Sequence, residues 1–312
     1  MNFIYQIIRT VRPRQWLKNL AVFAVPVFQG LFFDPDILPL SILAFVSFCF
    51  LASGTYILND LADVSKDRQH PIKKNRPIAS GKLSPTAAII VMVLAYIAGL
   101  YIAFNMIGTY FGLIGLAYIL LQLAYSFYFR NTIILDALFV SSGFILRVFA
   151  GGIAVDISVS SWLILTTIGL SLLMAFGKRR SEKTILEQHE QEVGKSKTRE
   201  TLKHYPDSLL DSIISTSASF CLMSYALFTF QTSPETGNQP ITSFLPSILK
   251  APKLMMLTIP VVIYGVARYL YVIYEKKEGE SPERILLSDK PMLLTVMLWT
   301  VMIFLIVYVL PS

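Results

Sequence analysis

Apolar residues in this chain come in blocks of about twenty, separated by short charged, Gly- or Pro-containing stretches, and that rhythm leaves few folds open. A bilayer core of about 30 Å takes roughly 20 helical residues to cross, and a blockwise pattern buries a helix on all sides where a 3.6-residue amphipathic one would not. Nine such runs can be drawn, near 15–33, 39–59, 84–105, 107–129, 132–154, 160–176, 208–231, 252–274 and 290–310. With 54% hydrophobic against 15% charged residues, the chain reads as an all-α integral membrane protein of nine transmembrane helices. No stretch outside the runs could bury a core of its own, so one transmembrane domain over 1–312 is expected.

Charge orients the bundle. With the N-terminus inside, 23 of the 27 Lys and Arg fall on the inner side, against Lys250 and Lys253 outside and Arg147 and Arg268 within runs. A cytoplasmic N-terminus and an outer C-terminus follow, with the N-terminus retained because no cleavable signal pattern is present. The expected location is the inner (plasma) membrane, crossed many times. The net charge of +7 is then a topology signal that also suits lipid headgroups or phosphates, and nothing suggests nucleic acid.

Chemistry is expected in two long, charged inner loops, 59–85 and 177–207, which leave equivalent places four runs apart as in a pseudo-repeat. The first opens Asn59-Asp60-Leu61-Ala62-Asp63-Val64-Ser65-Lys66-Asp67. If the second run continues as helix, Asp60, Asp63 and Asp67 recur at i, i+3 and i+7 on one face with Asn59 beside them. Acids so placed repel one another unless a cation joins them. Mg²⁺ takes one or two carboxylates plus substrate phosphates, so the pattern suits a metal–diphosphate site. A solvated helix end is the plain alternative. Arg68, Lys73 and Arg76 follow as phosphate donors, or as mere inner anchors.

The second loop begins Gly177-Lys178-Arg179-Arg180-Ser181-Glu182-Lys183. Lys178 and Arg179 could grip phosphate oxygens while Glu182 adds a metal contact, though a surface ion pair at i, i+4 would look identical. The stretch Glu182–Lys203 can form a solvated helix over the inner face, as a lid. Lys18, in the cluster Arg14-Gln15-x-x-Lys18-Asn19, and Tyr125, near Arg130 and Asp136, are further candidate substrate contacts, although anchoring and an aromatic belt account for most of these residues. Arg147, inside a run near Gly151-Gly152, calls for a structural partner. Cys49 and Cys221 lie in apolar runs and read as small hydrophobes, and His70, His189 and His204 lack ligand spacing, so zinc is disfavoured. Walker A, GxSxG and GxGxxG motifs do not occur.

The run Asn59-Asp60-x-x-Asp63-x-x-x-Asp67 resembles the first aspartate-rich motif of the UbiA superfamily of intramembrane prenyltransferases. The strings Arg12-Pro13-Arg14-Gln15-Trp16-Leu17-Lys18-Asn19, Asp67-Arg68-x-His70-Pro71-x-Lys73-x-x-Arg76-Pro77-Ile78-Ala79-Ser80-Gly81 and Gly177-Lys178-Arg179 resemble its phosphoribosyltransferase branch. In place of a second DxxxD motif stands the basic Lys178-Arg179-x-x-Glu182. The resemblance implies a nine-helix bundle with a pocket facing the cytoplasm, and Mg²⁺-dependent transfer of 5-phosphoribose from phosphoribosyl pyrophosphate to a polyprenyl phosphate, for cell-envelope (arabinan) precursor synthesis. It implies that Asn59, Asp60, Asp63 and Asp67, assisted by Glu182, hold Mg²⁺ and diphosphate. Arg68, Lys73, Arg76, Lys178 and Arg179 would bind phosphates, with Asp60, Asp63 and Lys178 the residues that carry catalysis. The alternatives are a conventional UbiA-type prenyltransferase with an aromatic or glycerol-phosphate acceptor, and a transporter or lipid flippase. The sequence leaves the oligomeric state open, a homo-oligomer included.

Overall fold

The computed structural model describes residues 3–69, 73–193, 205–232, 253–276, 285 and 288–310. His70 and Pro71 of the first loop, residues 194–204 of the second, including His204, and the side chain of His189 lie outside the described residues.

All regular structure among the described residues is helical. In chain order the helices are α1 (Phe3–Val11), α2 (Ala24–Phe28), α3 (Ile37–Ala62), α4 (Val64–Gln69), α5 (Pro85–Tyr101), α6 (Thr109–Ala124), α7 (Leu135–Ala154), α8 (Ser161–Val193), α9 (Asp207–Thr232), α10 (Ile259–Tyr271) and α11 (Lys290–Phe304). Wider π-helical turns prolong α5, α6, α10 and α11. Eight helical segments among the described residues are long and apolar enough to cross a membrane: Ile37–Ala62, Pro85–Ile107, Thr109–Phe129, Leu135–Ala154, Ser161–Ile185, Asp207–Thr232, Leu254–Glu275 and Lys290–Val309. They answer to eight of the nine expected runs.

The run at 15–33 differs. It is a 3₁₀ helix over Pro13–Phe23 that passes into the five residues of α2. Arg12, in the left-handed region at φ 55° and ψ 64°, breaks the chain away from α1 before it.

The surface confirms the environment. Leu94, Ile97, Tyr110 and Leu120 are each more than half exposed. So much bare apolar area would be anomalous in water and is expected against lipid tails. Because those tails are as apolar as leucine, close packing rather than the hydrophobic effect must hold the helices together. Two glycines show how close that packing is. A Cβ on Gly151 would stand 1.9 Å from the Val22 carbonyl oxygen, and one on Gly169 would stand 2.7 Å from the Cys221 backbone.

The chain divides into two compact units, residues 1–26, 32–130 and 146–158 in one and 27–31, 131–145 and 159–312 in the other. The first centres on Phe48, Leu51, Phe111 and Tyr118. Here the buried Arg147 donates from Nε to Asn19 Oδ1 at 2.7 Å and from Nη2 to the Tyr118 hydroxyl at 2.9 Å, with its guanidinium 4.9 Å over the Tyr118 ring. It is the structural partner the sequence called for. The second unit centres on Leu173, Phe176, Leu210 and Ile214. In it Arg268 forks onto both oxygens of Asp289, each at 3.0 Å, and Asp289 caps α11 by accepting from the Met292 N–H at 3.1 Å.

Candidate active site

Each unit carries a cluster of ion pairs built on one of the two charged segments. In the first, α3 delivers Asn59 and Asp60 in its last turn and ends at Ala62. Asp63 takes φ −100° and ψ 6°, donating its N–H to the Asn59 carbonyl, and α4 resumes at Val64 with Asp67 in its first turn. The continuous helical face expected for the three acids is therefore interrupted at Asp63. Asp is a poor helix former because its short carboxylate competes for nearby backbone groups, and Val64 adds β-branched stiffness directly after it. The acids remain inward: Asp60, Asp63 and Asp67 are 3%, 9% and 4% exposed.

What neutralises those carboxylates is arginine. Asp60 Oδ1 accepts from Arg12 Nη2 and, at 3.0 Å, from Arg76 Nη1. The same Nη1 reaches Asp67 Oδ2 at 2.6 Å, and Arg130 Nη1 donates to Asp63 Oδ2 at 2.6 Å. Asn59 Oδ1 accepts from the Ser126 hydroxyl at 2.5 Å. Burying charges is costly unless they are paired and hydrogen-bonded, and this network meets both conditions.

The loop holds Arg76 in place by a hydrophobic plug. Ile78 and Leu83 are each 1% exposed and pack with Ile57 and Ala88, so the chain after Arg76 folds back under the acids. Gly81, at φ 74°, supplies the left-handed turn, and Ser84 caps α5 by accepting from the Ala87 N–H. Arg68 Nε donates to the Ala79 carbonyl at 3.2 Å and braces that turn. Lys73 sits in the 3₁₀ turn Lys73–Asn75. Lys18 donates to Gln15 Oε1 at 2.7 Å, and Tyr125 opens the π-helical turn that ends α6.

The second cluster grows from α8, which runs unbroken to Val193 and so carries Lys178–Lys183 on a rigid helix rather than on a loop. Lys178 is 39% exposed and lies 3.7 Å from Glu182. Arg179 shares that carboxylate from a buried position. Its side chain is 4% exposed, with Nε on Asp136 Oδ2 and Nη1 on Glu182 Oε2 at 2.8 Å. Tyr205 completes the knot, donating its hydroxyl to Asp136 Oδ1 at 2.7 Å and accepting from the Ile134 N–H. Burial and the Asp136 carboxylate both push the Tyr205 hydroxyl above its ordinary pKa, so it stays a donor. Further along α8, Lys183 Nζ binds Asp207 and the Tyr205 carbonyl, both at 2.7 Å, and Arg180 binds Asp211 at 3.0 Å.

Sequence reading placed Asp60, Asp67 and Arg76 in one loop, and the structure brings those three together. It did not anticipate Arg12, Ser126 and Arg130 as partners of the acids, nor the Asp136–Arg179–Tyr205 knot. These partners lie 43 to 69 residues apart in the chain. For Arg12, Arg130, Asp136 and Arg179 the signal was charge at the ends of apolar runs; Ser126 and Tyr205 gave none.

No three His, Cys, Asp or Glu side chains among the described residues form a ready metal cage. A Mg²⁺ that arrives with a diphosphate needs only one or two protein carboxylates, phosphate oxygens supplying the rest. The hard oxygen donors of Asn59, Asp60, Asp63 and Asp67 fit that requirement. Glu182 belongs to the second cluster, between Lys178 and Arg179.

Residues 21–179 match the model of the UbiA prenyltransferase family. The chain is 35% identical over 99% of its length to a decaprenyl-phosphate phosphoribosyltransferase of Corynebacterium glutamicum, covering 89% of that protein. It is 35% identical over 96% of its length to one of Mycolicibacterium smegmatis, covering 91%, and 31% identical over 96% to one of Mycobacterium tuberculosis, covering 93%. Among solved structures, a UbiA homolog from Archaeoglobus fulgidus bound to GPP and Mg²⁺ superposes with a TM-score of 0.67 at 18% identity, over 97% of this chain and 99% of that one. The fold, the aspartate-rich turn after α3 and these matches lead to one conclusion: the chain belongs to the UbiA prenyltransferase family.

Proposed function

We propose that this protein transfers 5-phosphoribose from phosphoribosyl pyrophosphate to a polyprenyl phosphate in the membrane, at the cytoplasmic face. The observation that carries the reading is the similarity, over nearly the whole chain, to proteins named decaprenyl-phosphate phosphoribosyltransferases. The basic turn of α8 supports it, because this donor brings a 5-phosphate as well as a diphosphate. Prenyl transfer to an aromatic acceptor brings a diphosphate but no second phosphate.

In the reaction an oxygen of the lipid phosphate attacks C1 of the ribose, the bond from C1 to the diphosphate oxygen breaks, and pyrophosphate leaves with that electron pair. Bound Mg²⁺ supplies charge neutralisation of the leaving diphosphate. Asp60 and Asp63, with Asn59 and Asp67, orient that group. Arg68, Lys73 and Arg76, from the loop behind the acids, and Lys178, the exposed cation of α8, hold phosphate oxygens. Arg179, buried between Asp136 and Glu182, fixes the turn that presents Lys178. A phosphate anion is already nucleophilic, so positioning and charge neutralisation do most of the work and no strong base is required.

The test supplies purified protein in lipid with labelled phosphoribosyl pyrophosphate, Mg²⁺ and a polyprenyl phosphate. Label entering the organic phase, and lost in Asp63→Ala, is the expected result. No labelled lipid, but turnover of a polyprenyl diphosphate with an aromatic acceptor, would replace this reading with conventional prenyl transfer.

A further inference from the structure

The first cluster holds three carboxylates against three guanidinium groups, and the pairing is unequal. Asp60 Oδ1 alone receives two arginines, Arg12 and Arg76, while Arg76 also bridges to Asp67 at 2.6 Å and Arg130 serves Asp63 at 2.6 Å. A divalent cation cannot approach Asp60 Oδ1 while both guanidinium groups remain on it, since like charges at hydrogen-bond distance from one buried oxygen repel strongly.

Of the two, Arg12 is the one built to leave. Arg76 bridges two acids and is anchored by the Ile78 plug, whereas the ion pair recorded for Arg12 among the described residues is to Asp60 alone. Its backbone, at φ 55° and ψ 64°, is disfavoured twice, by its own Cβ and by the ring of Pro13 that follows. Both side chains are about a quarter exposed, and the Arg12 guanidinium also rests 5.4 Å over the Tyr56 ring, a contact that does not depend on Asp60.

We propose that Arg12 is an exchangeable counter-ion: it neutralises Asp60 in the substrate-free protein and moves to diphosphate oxygens when the metal–diphosphate arrives. The proposal rests on the metal–diphosphate reading above. A guanidinium pairs with phosphate as readily as with carboxylate, so its fork keeps its hydrogen bonds through the exchange. Metal alone loses the Arg12–Asp60 pair with no compensation. Metal together with diphosphate does not, and the two therefore bind as a coupled pair, each raising the affinity for the other.

Two binding titrations on the full chain in lipid nanodiscs test this without turnover: Mn²⁺ alone, followed by electron paramagnetic resonance, and radiolabelled pyrophosphate at saturating Mg²⁺. Arg12→Gln is expected to shift them in opposite directions, tightening Mn²⁺ alone about fivefold and weakening Mg²⁺-pyrophosphate about fivefold or more. Arg12→Lys, which keeps the charge and loses the fork, is expected to leave Mn²⁺ alone within about twofold of wild type and to weaken pyrophosphate. A purely structural Arg12 would make Arg12→Gln move both affinities together or neither, and that overturns the proposal. Should Arg12→Gln not fold, a weaker Mn²⁺ affinity in Arg12→Lys overturns it equally. Wild-type protein that binds no Mg²⁺-pyrophosphate would instead defeat the metal–diphosphate reading, and this proposal with it.

Discussion

At the residue scale, the two clusters invite opposite outcomes from the same kind of substitution. Asp63→Asn removes a carboxylate proposed to hold Mg²⁺ while preserving shape, so transfer should fall on the order of 10²- to 10³-fold, and because the Arg130 side chain it leaves is 20% exposed the unfolding midpoint should fall only modestly. Asp136→Ala should do the reverse of that balance. It strands the guanidinium of Arg179, whose side chain is 4% exposed, and removes the acceptor of Tyr205. Breaking one side of a buried pair costs about 3–5 kcal/mol. The expected result is a large drop in the unfolding midpoint in detergent, and a midpoint equal to wild type would show that Asp136 carries no structural charge pair. The first cluster was legible because Asn59, Asp60, Asp63 and Asp67 are close in sequence and of one chemical type. Arg12, Arg130 and Tyr205 were not, because a lone arginine or tyrosine at the end of an apolar run is first of all a membrane anchor, and only folding tells which carboxylate it meets.

At the element scale, the blockwise apolar pattern specified most helices and failed where backbone chemistry intervened. The first run contains enough apolar residues, but Arg12-Pro13 opens it with a left-handed residue and it continues as a 3₁₀ helix through Gln15, Lys18 and Asn19. Hydropathy records none of this. The sixth run was drawn to 176 because charge begins there, whereas α8 continues to Val193. Its 33 residues span about 50 Å at 1.5 Å per residue, well beyond a hydrocarbon core of about 30 Å, so the charged C-terminal part of α8 is longer than a crossing requires. Close helix contacts, invisible in sequence except as glycine, are testable in the same way. Gly151→Leu must displace backbone at Val22 and should abolish monodisperse protein on size exclusion. Gly81→Ala meets nothing within 4 Å and bears only the cost of its φ of 74°, roughly 1 kcal/mol, so it should express normally.

At the scale of the whole molecule, the inward bias of Lys and Arg predicts a sidedness that labelling can read. Cys49 and Cys221 are both buried and give a silent background. In inverted and right-side-out vesicles, Lys74→Cys should react with an impermeant maleimide only from the cytoplasmic side and Asp36→Cys only from the outside. The opposite pattern would place the aspartate-rich turn on the wrong face for a cytoplasmic sugar donor.

The central claim is that a lipid phosphate, and not an aromatic ring, accepts a phosphorylated sugar. Mass spectrometry of the lipid product, run alongside measurement of released pyrophosphate, tests it most directly. The account predicts a polyprenyl lipid with 5-phosphoribose joined through the lipid's own phosphate, formed one for one with pyrophosphate and absent in Asp63→Asn. A product in which the polyprenyl chain has itself moved to an acceptor, with its diphosphate released, would contradict it.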